Sequence, residues 1–168
     1  AGVSPWTVLA QGISSKSGRS IGVATFLISV SILLFWIPLK QVPGIGTILN
    51  AIIIASAIDL TLPYLPHPDS LVLKMLQACL GILIVGIGSG IYLSSNLGPG
   101  PRDGLMVGLQ KKTDTSIAAI RTVIELSAVL LGWMLGGLVG IGTILFVFGI
   151  GPCVGIGLTL VEKFSKRP

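Results

Sequence analysis

The sequence has 168 residues, of which 52% are hydrophobic and only 10% are charged, and its mean hydropathy is +0.95. Soluble domains carry about 25% charged residues, so this composition excludes a soluble catalytic domain. The net charge of +5 comes from 11 basic residues scattered among apolar stretches. Scattered charges cannot form the continuous basic surface that nucleic acids require. We therefore expect the lipid bilayer, and not a nucleic acid, to be the partner.

Five stretches of the chain are long and apolar enough to cross the membrane, since a helix needs roughly 20 such residues to span about 30 Å of hydrocarbon. They comprise residues 20–39, 46–63, 71–93, 117–138 and 143–161. A proline-rich connector around His67 follows the second stretch, and this lone histidine is expected to be solvated. The pattern predicts an all-α, polytopic transmembrane helix bundle that forms a single domain over residues 1–168.

Residues 96–115, between the third and fourth stretches, have a different composition, rich in Gly, Pro and charge. Within them, residues 104–109 form a short apolar run. This composition predicts a loop that contains a half helix at most.

An internal repeat aligns residues 1–50 with residues 97–146 at a constant offset of 96, without a gap and with 17 of the 50 pairs identical. The longest identical run is Gly-Ile-Gly-Thr-Ile-Leu, at residues 44–49 and 140–145. Apolar segments share Leu and Ile by chance, but not an ungapped run that also contains two Gly and one Thr. The chain therefore contains a duplication.

Each copy predicts three membrane crossings with a short half helix in its Gly/Pro loop. Because three is an odd number, the copies must have opposite orientations, as in the inverted repeats of many secondary transporters. Repeat 1 covers residues 1–63 and repeat 2 covers residues 71–162. Ala1 aligns with Leu97, which follows the third stretch, so we expect the first helix of repeat 1 to lie upstream. The alternative is a duplicated bundle with only a structural role.

Basic residues at the helix ends predict the orientation of the chain. If the C-terminus is cytoplasmic, the outer side carries only Lys16, Arg19 and Lys74. The inner side then carries seven basic residues: Lys40, Arg102, Lys111, Lys112, Lys163, Lys166 and Arg167. This asymmetry predicts a multi-pass protein with a cytoplasmic C-terminus.

Ionisable residues inside a membrane span are functional candidates, because burying a charge in hydrocarbon costs a few kcal/mol or more. Glu125 lies eight residues into the fourth stretch, about 12 Å deep at 1.5 Å per residue. Arg121 precedes it by one turn, where an i,i+4 ion pair can form. The second stretch adds Asp59 and the polar Asn50 as further candidates.

The Arg121–Glu125 pair has two interpretations. It either holds the fourth helix against its neighbours or serves a solute or an ion. The repeat mates of these residues are Thr25 and Ser29, so the duplicated scaffold does not require charge at these positions. This asymmetry favours a specific role for the pair.

The loop Gly-Pro-Gly-Pro-Arg-Asp-Gly at residues 98–104 is a second candidate, because it frees backbone groups that other partners must satisfy. Arg102, just before the predicted half helix, can hold an anion by its charge together with the helix N-terminus. In the alternative, Arg102 and Asp103 pair with each other or with lipid headgroups. The first copy has Trp6 and Thr7 at these positions, a predicted interfacial aromatic and a small polar residue.

Other chemistry finds no support in the sequence. Cys79 and Cys153 lie in apolar stretches without a CxxC motif or clustered histidines, so we expect no disulfide, metal site or cofactor. The Gly-x-Gly-Thr segments join two apolar spans instead of a strand and a helix, so they predict tight turns and not a dinucleotide site. No catalytic set is recognisable, and we do not expect an enzyme.

Several of these motifs resemble the YczE/YyaS/YitT family of bacterial membrane proteins, most closely its YczE-like branch. In the second half the resemblance rests on residues 100–106, 108–109, 132–133, 136–137, 140–143 and 150–152, with Arg121, Thr122 and Glu125. In the first half it rests on residues 5–6, 38–39, 43–47 and 49–50. The resemblance implies a polytopic protein of the bacterial cytoplasmic (inner) membrane, with a further helix before the Pro-Trp motif, of a type commonly described as transporters.

Two functions remain open. The first is a small-solute transporter or channel of the inner membrane, with Glu125, Arg121, Asp59, Asn50 and the Arg102–Asp103 loop lining the route. The second is a non-catalytic accessory subunit that packs against other membrane subunits, or against copies of itself, through glycine-rich helix faces such as 86/90, 132/136 and 151/155.

Overall fold

A computed structural model describes residues 2–66, 68–115 and 117–165, without the side chains of residues 117, 118, 164 and 165. His67, Lys166 and Arg167, which entered the sequence predictions, lie outside the described residues. The described chain is helical throughout: α1 Pro5–Ser17, α2 Ile21–Trp36, α3 Ile45–Thr61, α4 Leu71–Ser94, α5 Pro101–Thr113, α6 Ile117–Met134 and α7 Ile141–Ser165. A short 3₁₀ turn, Leu62–Tyr64, extends α3. The predicted all-α class is confirmed.

The helices repeat with the sequence. α1 and α5 begin at Pro5 and Pro101, α2 and α6 at Ile21 and Ile117, and α3 and α7 at Ile45 and Ile141, each time 96 residues apart. The duplicated sequence therefore encodes a duplicated order of helices.

The half helix predicted at residues 104–109 is instead a helix of 13 residues that begins at Pro101. Proline is favoured at the first helical position, because its fixed φ suits the helix and its missing N–H would have no intrahelical partner there. The proline that predicted a loop thus starts the helix. Asp114, with φ 52°, ends it.

Three described helices are long and apolar enough to span a membrane: Ile45–Tyr64, Leu71–Ser94 and Ile141–Lys163. A fourth span results if α1 and α2, which meet at 112°, are counted together. The sequence predicted five crossings, but α2 has only 16 residues and α6 only 18, about 24 and 27 Å, and neither is among these three helices. Between 11% and 22% of the residues in the three spans are buried. Their exposed apolar surface is that of a membrane protein.

The chain forms two compact units. Unit 1 contains residues 1–4, 66–96 and 139–168, and its helices α4 and α7 pack along their length. A Cβ at Gly86 would lie 2.2 Å from the Cβ of Cys153, and one at Gly90 would lie 2.7 Å from the Cα of Gly157. Small residues thus let the two backbones approach closely, as is usual in membranes.

Unit 2 contains residues 5–65 and 97–138, and therefore α1, α2, α3, α5 and α6. Its core consists of buried apolar side chains from α1, α2 and α6: Trp6, Ala10, Ala24, Ile28, Ile32, Trp36 and Ala128.

Contacts within unit 2 are reciprocal between the two copies. Trp36 of the first copy packs on Gly104 of the second, where a Cβ would lie 2.0 Å from the indole Cζ2. The repeat mates of these two residues also pack together, because a Cβ at Gly132 would lie 2.6 Å from the backbone of Val8. At both contacts the second copy supplies a glycine, which faces the side chain of Trp36 in one case and the backbone of Val8 in the other.

The N-terminus of α2 is capped by polar side chains. Ser20 accepts a hydrogen bond from the Val23 N–H. The carboxylate of Asp59, from α3, accepts a hydrogen bond from the Ser20 hydroxyl and another, of 2.7 Å, from the Gly22 N–H. A carboxylate at this position satisfies free N–H groups and interacts favourably with the helix dipole. Asp59 thus fixes α3 to the start of α2.

The reciprocal packing predicts that Gly104→Val destabilises unit 2, because the new side chain overlaps Trp36; overpacking of this kind costs about 1–3 kcal/mol. Adding Trp36→Gly to the same chain should recover part of that loss. The double variant places a valine in α5 opposite a glycine in α2, which reproduces the Val8–Gly132 arrangement. The measurement is the midpoint of thermal unfolding in detergent. Gly88→Val, at a helical glycine with open space around it, controls for helix propensity. If the losses of stability from Gly104→Val and Trp36→Gly simply add in the double variant, the reciprocal arrangement is contradicted.

The cap predicts that Asp59→Ala lowers stability by about 1.5–3 kcal/mol, the range for hydrogen bonds to a charged group. Asp59→Asn, which keeps an acceptor and loses the charge, should cost only about 0.3–1 kcal/mol. Both are read from the thermal midpoint of the purified protein. An alanine variant as stable as the parent would show that the cap contributes nothing.

Candidate functional site

The loop before α5 is held in place through its carbonyl groups. The carbonyls of Leu97, Pro99 and Pro101 accept hydrogen bonds of 2.9, 2.7 and 3.0 Å. Their donors are, in that order, the backbone N–H of Gly46, the hydroxyl of Thr47 and the indole N–H of Trp36. These bonds fix the start of α5 and therefore the position of the next residue, Arg102.

The Gly-x-Gly-Thr segment contributes more than the tight turn predicted for it. Gly44 caps α3, and its N–H donates to the Thr47 hydroxyl at 3.1 Å. The same bond joins Gly140 and Thr143 in unit 1, at 3.3 Å. Because the Thr47 hydroxyl also donates to the loop, the motif both begins a helix and holds the broken segment beside it.

Arg102 lies over an aromatic ring. Its guanidinium carbon is 4.8 Å from the centroid of the Trp6 ring, a cation–π distance. Trp6 is buried, with 8% of its surface exposed, and its position at the membrane interface stays a prediction. Trp6 and Arg102 are repeat mates, and equivalent positions of the two copies therefore meet at this contact.

Glu125 and Arg121 form the ion pair expected from their spacing. Arg121 Nε donates to Glu125 Oε1 at 2.9 Å, and Glu125 is only 3% exposed. Their repeat mates, Thr25 and Ser29, are also buried, but they donate to backbone carbonyls of their own helix. The first copy thus has no need of a charged partner at these positions.

The two candidate sites of the second copy form one cluster. Arg102 interacts electrostatically with Asp103 and Glu125, and Asp103 interacts with Arg121. Two positive and two negative groups therefore come together from α5 and α6. Their proximity could not be predicted from the sequence, because 18 positions separate Arg121 from Asp103.

Burial shifts the protonation equilibria of the two charged residues on α5. Desolvation lowers the pKa of Arg102 to about 10, against the opposing effect of Asp103 and Glu125. Desolvation also raises the pKa of Asp103, while the charges of Arg121 and Arg102 oppose this change. Glu125 is buried, whereas Arg102 and Asp103 are half-buried and the Arg121 side chain is 32% exposed. Within this partly shielded cluster, each arginine stabilises the charge of a neighbouring carboxylate.

Asn50 lies next to this cluster. A Cβ at Gly100, the N-cap of α5, would lie 3.1 Å from Asn50 Oδ1 and 3.4 Å from Asp103 Oδ2. The amide and the carboxylate therefore flank the first residue of the helix. Of the candidates in the second predicted stretch, Asn50 belongs with the cluster.

Asp59 does not belong with the cluster. Its carboxylate caps α2, at the border of a shallow groove of about 210 Å³ lined by Gly22, Val23, Phe26, Ile52, Ala55 and Ser56. Its depth in the sequence made it a candidate for a solute route. Its hydrogen bonds give it a structural role as a cap, and its place on a solute route stays a prediction.

The residues that position the cluster were not identified as functional from the sequence. Trp36 and Thr47 are 2% and 0% exposed, and both act through hydrogen bonds to a loop more than 50 positions away. The duplicated Thr was the available signal, because it is identical in both copies.

Comparison with known proteins identifies the family. The family of unknown function DUF6198 matches residues 1–158. The chain is 44% identical over 167 residues to an uncharacterized protein of Haemophilus influenzae, covering 99% of this chain and 77% of that protein. No solved structure matches the chain.

Two Bacillus subtilis proteins are also similar. The uncharacterized membrane protein YczE is 32% identical over 145 residues, covering 86% of this chain and 67% of YczE. The uncharacterized protein YyaS is 29% identical over 166 residues, covering 96% of this chain and 83% of YyaS. The resemblance seen in the sequence motifs is confirmed, and the chain belongs to the DUF6198 family of unknown function, together with YczE-like membrane proteins.

Proposed function

We propose that the chain is a small-solute transporter or channel of the bacterial cytoplasmic membrane, and that the cluster Arg102, Asp103, Arg121 and Glu125 lies on the solute path. The observation that carries this proposal is the convergence of α5 and α6 on these four charges. Ionisable groups buried in a membrane protein are costly, so their concentration at one place favours a role in moving polar species.

The position of the cluster supports the same proposal. Transporters with inverted repeats bind their solutes at the repeat interface, where broken helices end. Here the repeat mates Trp6 and Arg102 touch each other, as residues near a two-fold axis do. The cluster begins at that contact.

An inverted repeat is part of the proposal. Reciprocal contacts such as Trp36–Gly104 and Val8–Gly132 are those that a two-fold relation between the copies produces. If each copy crosses the membrane three times, as the sequence predicts with a helix upstream of Ala1, this axis lies in the membrane plane. The excess of basic residues on one side then favours a cytoplasmic C-terminus.

An accessory role in a larger membrane complex is the second candidate. In α7, a Cβ at Gly151 or Gly155 would meet no described heavy atom of unit 1 within 4 Å. These small residues leave a smooth face of the kind that receives a neighbouring helix. By contrast, Gly86, Gly90 and Gly132 already have close neighbours within their own units. Chemical crosslinking through Gly151→Cys in native membranes tests for a stoichiometric second protein.

The inverted repeat predicts opposite accessibility for the repeat mates Lys16 and Lys112, at the exposed ends of α1 and α5. In a chain with Cys79 and Cys153 changed to Ala, a membrane-impermeant maleimide should label Lys16→Cys in intact spheroplasts. Lys112→Cys should react only in inverted vesicles. Both should label equally in detergent, which is the control. Labelling of both from one side would contradict the inverted arrangement.

The transport proposal is tested by osmotic swelling of vesicles that contain the purified chain. Glycine, acetate, choline and glycerol serve as a zwitterion, an anion, a cation and a neutral solute. We expect faster volume recovery than in protein-free vesicles for at least one of them. Glu125→Gln should slow that recovery about tenfold or more, since a hydrogen bond to a charged group contributes about 1.5–3 kcal/mol. Glu162→Gln, at an exposed position of α7, is the matched control.

A double variant separates transport from a purely structural role of the ion pair. Arg121→Thr with Glu125→Ser reproduces the first copy, whose Thr25 and Ser29 are satisfied within their own helix. If the pair lies on the path, this variant folds and loses solute movement. Retained movement would show that the pair is structural. A parent chain no faster than protein-free vesicles for all four solutes would overturn the transport proposal.

A further inference from the structure

A basic pocket lies at the end of α5, apart from the charge cluster. It has a volume of about 400 Å³ and is lined by Pro38, Leu39, Lys40, Gln41, Gly108, Lys111 and Lys112. The first four follow the end of α2, and the others belong to α5. We propose that this pocket binds a phosphate group, carried either by an anionic lipid or by a small soluble molecule.

The shape of the pocket follows from the way two helix ends meet. A Cβ at Gly108 would lie 3.0 Å from Gln41 Cγ and 3.1 Å from Leu39 Cδ1, so the missing side chain lets the segment after α2 approach α5. Lys40 has φ 52°, and its N–H donates to the Ile37 carbonyl. This left-handed residue turns the chain so that Lys40 lies beside the lysines of α5.

The charge of the pocket exceeds what the helices require. Lysines near helix C-termini interact favourably with the helix dipole, which places about half a negative charge at each C-terminus. Two helix ends therefore offset about one of the three positive charges. Among the described residues, no carboxylate forms an ion pair with Lys40, Lys111 or Lys112, and none lines the pocket. About two positive charges remain for a ligand.

Phosphate fits this excess better than a carboxylate does. A phosphate monoester carries about −1.5 to −2 charges near neutral pH and the two phosphodiesters of cardiolipin together carry about −2, whereas a carboxylate carries one. Lysine ammonium groups bind phosphate as point charges and do not require the planar fork of arginine. The lining is apolar on the side of α2, through Pro38 and Leu39. Lysines that directly follow an apolar helix are suited to contact lipid phosphates.

The corresponding positions of the other copy provide a built-in comparison. The mates of Lys40 and Lys111 are Gly136 and Ser15, which lie near each other, with 4.0 Å between a Cβ at Gly136 and the Ser15 hydroxyl. The mate of Lys112 is Lys16. The corresponding site of the other copy thus has one lysine where the pocket has three, so the strongly basic pocket is found at only one of the two equivalent sites.

The test uses the full chain in nanodiscs of neutral phosphatidylcholine. One arm adds cardiolipin and counts retained lipid by native mass spectrometry, and the other adds inorganic phosphate and follows the thermal midpoint. The variant Lys40→Gln/Lys111→Gln/Lys112→Gln is compared with Lys16→Gln, the repeat-mate control. Each lysine near an anionic surface contributes about fivefold in affinity, so the triple variant should lose more than about tenfold while the control changes less than about twofold.

The outcomes separate the two sources of phosphate. Retention of cardiolipin by the parent chain and not by the triple variant assigns the pocket to a lipid headgroup. Stabilisation by inorganic phosphate with the same dependence on the lysines assigns it to a soluble phosphate. The lysines are exposed, so without ligand the triple variant should have the same thermal midpoint as the parent chain. If its midpoint is lower, the single variant Lys111→Gln replaces it, with an expected loss of affinity of about fivefold. Equal binding by parent and lysine variants, or an equal loss in Lys16→Gln, would overturn the proposal.

Discussion

Backbone groups that no helix can satisfy set the architecture of unit 2. In lipid, a break in a helix leaves carbonyls that must find partners within the protein, because each unsatisfied group costs several kcal/mol. Here the Gly/Pro segment before α5 is satisfied by Thr47, Trp36 and the backbone of α3. The partners belong to one copy and the loop to the other. The break in the second copy is therefore stable only because the first copy supplies the donors, and the position of Arg102 follows from it.

The duplication shows how one backbone carries two sets of side chains. At one contact the first copy supplies Trp36 and the second Gly104; at the mate contact the first copy supplies Val8 and the second Gly132. In both cases the glycine of the second copy makes room for the first copy, for the indole ring of Trp36 at one contact and for the backbone of Val8 at the other, which preserves close packing. The same tolerance extends to polarity: the second copy carries an ion pair where the first has self-satisfied hydroxyl groups. Geometry is shared between the copies, and chemistry is not.

Much of this fold was predictable because hydropathy and repetition are strong signals in membrane proteins. The offset of 96 predicted that the two copies share one order of helices, and the i,i+4 spacing predicted the partner of Glu125. The length of α5 was not predictable from its Gly, Pro and charge, since proline at the first position of a helix looks in sequence like proline in a loop. The capping role of Asp59 was equally hidden, because Ser20 and Gly22 lie almost 40 positions away and only the fold brings them together.

The cluster and the basic pocket obey opposite electrostatic rules. Inside the protein, an uncompensated charge is costly, and the four groups around Glu125 sum to zero. At the exposed end of α5 the lysines need no internal partner, because water, counterions or an anionic surface can neutralise them. Both sites belong chiefly to the second copy, since their mates in the first are mostly uncharged. A backbone with nearly equivalent ends thereby acquires electrostatically different ends, and a solute that reached the cluster from either side would meet a different field at each entrance.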